Sequence, residues 1–206
     1  MESGVGTAYR EGRDALTELL SGLSPGEWEL PVPACPEWTV RDTVAHLVGV
    51  CADAWAGRLE GVTTEAWTAA QVEARRSADG AALLAEWSTE APPLEELADG
   101  SGDALAQWVF DFVVHEQDLR AALGVPGGDG SARARIAEAW ISAAFAAHLA
   151  VTGSAVAIDL AGLDLIRALS GRSPVEEVLG LVDESLDVDD LRALLTWGPF
   201  VPPART

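Results

Sequence analysis

Apolar residues recur at helical spacing through most of the chain. Leu16, Leu19 and Leu20 form a 3.6-residue stripe with Glu and Arg on the other faces and Gly22 as a stop, which predicts a first helix over 7–22. Ser24-Pro25-Gly26 opens a loop through Pro31, Pro33 and Pro36, a proline density in which no helix is expected. Thr39 then stands as an N-cap with Asp42 three residues on, in the capping-box position that Glu or Gln usually takes. The helix it starts is predicted to run to about residue 60, with Val40, Val44, Leu47, Val48 and Cys51 in the core and His46 beside them. Residues 62–77 read as helical in part, with Trp67 buried. Leu83, Leu84 and Trp87 mark a helical stretch over 81–87, which Ala91-Pro92-Pro93 is expected to break, leaving 94–102 as an acidic surface loop. A long helix is predicted over 103–123, closed by Gly124. After a turn-rich link, Ser131 caps a fourth long helix to about 151, apolar on most sides and so expected to be buried.

At Thr152-Gly153 the pattern changes. Residues 155–160 predict a short strand, 163–169 and 174–181 two short helices, 183–190 an acidic turn, 191–195 a last helix and 199–206 an extended tail. No internal repeat is visible. The expected architecture is mainly α: a four-helix bundle over 1–152 and a small C-terminal α/β appendage over 153–206.

Composition narrows the class of function. Apolar residues make up 49% of the 206, enough for a sizeable core. The net charge of -20 offers little to neutralise phosphates or to meet an anionic bilayer, so neither nucleic acid nor membrane is an expected partner. Two cysteines, Cys35 and Cys51, are too few for a secreted disulfide scaffold. No basic segment followed by an apolar run opens the chain, and the cytoplasm is the expected compartment. Oligomeric state is not legible.

One stretch carries candidate chemistry. On the helix over 103–123, Asp111 and His115 are four residues apart and share a face, where a carboxylate and an imidazole can grip one cation. His46 is the best third ligand, completing a set of two histidines and one carboxylate that leaves positions open for water or substrate. The spacing fits equally an ordinary helical hydrogen-bonded pair and a core histidine. Asp118 can orient a ligating imidazole from the next turn or pair with Arg120 on the surface. Asp42 is assigned to capping. Cys35 and Cys51 read as small buried residues, His148 as a core histidine, Arg172 as a helix C-terminal charge, and the eight tryptophans chiefly as core mass, one or two of them available to line a pocket.

Cys35-Pro-Glu-Trp-Thr-Val-Arg-Asp-Thr-Val-Ala-His46-Leu resembles the "Cys-Pro-x-Trp-Thr-Val-Arg-Asp-x-x-x-His-Leu" motif of the mycothiol-dependent maleylpyruvate isomerase family, in the DinB-like four-helix superfamily. His115-Glu-Gln-Asp-Leu-Arg-Ala-Ala-Leu-Gly124 resembles that family's "His-x-x-Asp-Leu-x-x-Ala-x-Gly", and 165–173 resembles a weaker C-terminal "Arg-x-Leu-x-Gly-Arg". The resemblance spans most of the chain in order. It implies a DinB-like bundle and a divalent metal held by His46, Asp111 and His115, although the isomerase itself has Glu at the position of Asp111. It implies mycothiol as the thiol cofactor and, loosely, Arg167 as a group that binds a substrate carboxylate. Zinc is the default metal; nickel and iron(II) suit the same ligands.

The expected function is therefore a metal- and thiol-dependent S-transferase or cis–trans isomerase whose partners are a small thiol and a small electrophile. The alternative is a DinB-like protein that binds metal or a small molecule without turnover. A thiol-independent metal hydrolase would need a local general base, for which Asp118 and Glu116 are the candidates.

Overall fold

The structure is a computed structural model that describes residues 4–154, 156–182, 188–195 and 197. Two compact units are present, one made of 1–105 with 115–128, the other of 106–114 with 129–206.

In the first unit α1 (Val5–Ser21) buries Val5, Ala8, Tyr9, Leu16 and Leu20 on one side, the stripe expected from the sequence. The proline-rich stretch is more ordered than expected. Ser24 starts a one-turn helix, α2 (Pro25–Trp28), through a capping box with Glu27, and Pro25 sits in the first turn, where its missing N–H costs nothing. A two-stranded antiparallel hairpin follows, β1 (Pro31–Val32) with β2 (Cys35–Thr39). Cys35, expected to be buried, is half-buried there. Thr39 caps α3 (Val40–Trp55), which stops five residues short of the expected end and buries all five predicted core residues. After α4 (Glu65–Ala74), Asp79 caps α5 (Gly80–Gly100). Trp67 is half-buried rather than buried, its indole N–H donating to the Arg58 carbonyl at 3.1 Å.

The sequence reading failed most plainly at α5, which runs through Pro92 and Pro93 instead of breaking. Two prolines remove two amide donors from the ladder and cost several kcal/mol in an isolated helix. Packing outweighs that cost: Leu83, Trp87, Ala91, Leu94 and Ala98 continue one buried stripe across the prolines. Glu95, inside the expected loop, is buried and accepts from Arg10 Nε at 2.9 Å and Arg13 Nε at 2.7 Å, tying α5 to α1.

A 3-10 turn (Gly102–Leu105) leads into α6 (Ala106–Leu123), a continuous helix closed by Gly124 at φ 67°. That left-handed C-cap is a conformation glycine adopts without the steric cost other residues carry.

In the second unit α7 (Ala132–Thr152), capped by Ser131, packs on α8 (Gly162–Leu169). Contrary to expectation α7 buries only one face, through Ala134, Ala137, Ile141 and Phe145, while Val151 is 87% exposed. Its alanine-rich composition made it read as apolar all round, but alanine is tolerated equally on a wet face. The strand expected over 155–160 is an isolated bridge between Ile158 and Val182. α9 (Val175–Leu179) and α10 (Val188–Leu195) complete the unit. Of the acidic turn expected over 183–190, residues 188–190 instead open α10; 183–187 and the tail at 199–206 lie outside the described residues. Among the described residues no helix is long and apolar enough to cross a membrane.

Candidate metal centre

The site is built on α3 and α6. At the start of α3 the Thr39 hydroxyl accepts from the Asp42 N–H at 3.2 Å, and the Asp42 carboxylate accepts from the Thr39 N–H at 3.0 Å. Asp42 thus does the capping work assigned to it. With the first turn pinned, the helical period puts His46 on an inward face, where it is 4% exposed. On α6 the same period places Asp111 and His115 one turn apart on one face.

His46, Asp111 and His115 each offer one ligand atom, and these atoms lie within 4.8 Å of one another. The two imidazoles meet edge to face, centroids 5.0 Å apart. Trp38, from β2, lies against both rings at 5.4 Å and 5.8 Å, an apolar cover that limits water on that side.

Each histidine has its Nδ1 engaged. His46 Nδ1 is 2.8 Å from Gln71 Oε1, and His115 Nδ1 is 3.2 Å from Asp118 Oδ2. Both partners can accept, so both rings present hydrogen on Nδ1, and in the neutral form this puts the lone pair on Nε2, the form in which a histidine ligates metal. Two neutral imidazoles and a carboxylate suit a divalent cation of the zinc, nickel or iron(II) class. Ligand atoms about 2.1 Å from one tetrahedral cation lie about 3.4 Å apart, so side-chain shifts on the order of an ångström bring a group within 4.8 Å onto one ion. The donor set fits a metal.

The other predicted residues divide. Asp118 is 2% exposed and turned to His115, not to Arg120. Arg120 Nε donates instead to the buried Glu116 at 2.9 Å, which ties up one of the two carboxylates considered as a hydrolytic base. Arg167 is half-buried on α8, in the second unit. His148 stacks on Trp197 at 5.2 Å, beside Phe145, as a packed histidine of the second unit. Cys51 is buried with the Tyr9 hydroxyl 3.2 Å from its sulfur, and burial pushes its thiol up to about 12.

Two residues escaped the sequence reading, and a third was only half seen. Trp38 stands inside the quoted motif, among tryptophans of which one or two could line a pocket, and only the structure shows its ring against both histidines. Gln71 and Asp53 have no local signal at all, because their role arises where α4 meets α3.

The model of one family, described as the mycothiol maleylpyruvate isomerase N-terminal domain, matches residues 9–141, more than half of the chain. No curated protein and no solved structure matches it.

Proposed function

From the premise that the chain belongs to the mycothiol maleylpyruvate isomerase N-terminal domain family, we propose that it is a metal-dependent enzyme using a small thiol of the mycothiol type. Its fold is the mainly α, DinB-like one. In this reading the metal-binding bundle runs to residue 152, the appendage follows, and the protein works in the cytoplasm. The reaction is transfer of the thiol to a small electrophile, or cis–trans isomerisation of an electron-poor double bond. The two differ in whether the thiol remains on the product.

The observation that carries the proposal is the convergence of His46, Asp111 and His115 with both Nδ1 atoms already committed elsewhere. When bound, a divalent cation, zinc by default, supplies a Lewis acid at which a thiol is deprotonated at neutral pH. His46 and His115 provide neutral donors, and Asp111 provides the one negative charge of the set. Asp118 holds the ring of His115 in orientation. Trp38 keeps water from one side of the pair. The thiol has to come from outside: Cys51 retains its proton to about pH 12 and is sealed in the core. Arg167 is proposed, on the resemblance alone, to hold a substrate carboxylate; Arg167→Met would then raise KM with little change in kcat.

The test is turnover of electrophiles, maleylpyruvate among them, by protein loaded with zinc, nickel or iron(II), with and without mycothiol. Consumption that requires both metal and thiol and stops on chelation is the expected result. No thiol-dependent turnover in metal-loaded protein would contradict it and leave a non-catalytic metal- or small-molecule-binding protein.

A further inference from the structure

We propose that Gln71, held by Asp53 and Arg58, is a positioning residue that locks the tautomer of His46. The proposal rests on the metal-centre reading above and deepens it.

Arg58, 61% exposed at its side chain, donates from Nε to Asp53 Oδ1 at 2.8 Å, which holds that carboxylate in place. An ionised carboxylate can only accept. The Gln71 atom 2.9 Å from Asp53 Oδ2 is therefore the amide nitrogen. The opposite end of the amide, 2.8 Å from His46 Nδ1, must then be the oxygen. An oxygen there accepts, so His46 presents hydrogen on Nδ1, which in a neutral ring leaves the lone pair on Nε2. The other tautomer would set two lone pairs against each other inside a site where Gln71 is 2% exposed, with no water to relieve them. A histidine in water prefers the opposite tautomer, with hydrogen on Nε2, so without this chain of contacts the ligand atom would usually carry a proton to be displaced.

The packing that permits this is specific. Gly49, one turn after His46 on α3, lies where a Cβ would come within 2.5 Å of Gln71 Cβ. The missing side chain lets α4 approach closely enough for a glutamine to reach the ring. His115 reaches the same tautomer by another route, through the buried carboxylate of Asp118. The two ligating histidines are thus oriented by different chemistry, a neutral amide for one and a charge for the other. Only the amide needs a second residue to tell it which way to face.

The experiment is a long-range proton–nitrogen NMR spectrum of the metal-free, histidine-labelled full chain at mildly alkaline pH, with zinc affinity measured by chelator competition. In the wild type, His46 should show a protonated Nδ1 and a bare Nε2. Gln71→Met, close in shape but without hydrogen bonds, should move the proton to Nε2 and weaken zinc binding about tenfold to a hundredfold. Gln71→Glu, which keeps an acceptor toward Nδ1, should restore the wild-type tautomer. Asp53→Asn leaves Gln71 in place but frees its amide to turn, and should give a mixture of tautomers; it answers the question even if Gln71→Met does not fold. Nε2–H in the wild type, or one tautomer throughout the series, would overturn the proposal. A wild type with the expected tautomer that takes up no zinc, nickel or iron(II) would sink the metal reading and leave the relay standing.

Discussion

Helix α3 carries two buried polar groups barely more than a turn apart, and they are built to opposite ends. Around His46 the hydrogen bonds form a directed line, from ring to Gln71 to Asp53 to the exposed Arg58, with a charge at the outer end that sets every donor and acceptor inward of it. Around Cys51 they join uncharged side chains: Trp87 Nε1 donates to the Tyr9 hydroxyl at 3.1 Å, which meets the thiol at 3.2 Å, and none of the three side chains carries charge at neutral pH. Burial raises Tyr9 well above its usual range and pushes Cys51 up to about 12, so this group stays neutral. The difference teaches what each is for. A neutral cluster satisfies polar atoms and cements packing. A line anchored on a surface ion pair spends its order on presenting one nitrogen in one state.

If that contrast is real, damage to the two should separate. Trp87→Ala should destabilise the fold by about 3–5 kcal/mol, the usual cost of a truncated core aromatic, while the folded fraction keeps its zinc affinity; denaturant titration with and without zinc checks both. Asp118→Ala should do the reverse, lowering zinc affinity about tenfold to a hundredfold with a smaller change in unfolding midpoint. The third effect is in the alkaline limb. In the unfolded chain Cys51 loses its proton near its ordinary value of about 8.5, whereas folded Cys51 holds it to about 12. Above pH 9 the unfolded state therefore binds fewer protons than the folded one, and stability should fall as pH rises toward 12. Cys51→Ala should flatten part of that fall, leaving the portion due to Tyr9; an unchanged slope would mean that the thiol is not sealed.

How much of this was legible follows from the range of each signal. The Thr39–Asp42 capping box, the five core positions of α3 and the Asp111–His115 spacing are local, and all three stand in the structure as read. The course of α5 through Pro92 and Pro93 was misread because local propensity argued for a break, while the decisive terms, the buried stripe and the Glu95 pairs with α1, come from far along the chain. Gln71 was invisible for the same reason. A glutamine on a polar-looking helix carries no mark of function until Gly49 lets it touch His46. Asp118 fell between these cases: its spacing from His115 was visible, and the competing pairing with Arg120 was excluded only once Arg120 was found on Glu116.

The central claim is that His46, Asp111 and His115 form one metal site. Its most direct test is metal content by elemental analysis after loading and desalting, wild type beside His46→Ala. About one equivalent of zinc, nickel or iron(II) in the wild type and none in a folded variant is the predicted result, since removing one of three protein ligands leaves too few to hold the ion. Equal content in the two proteins, or a wild type that retains no metal, would contradict the account.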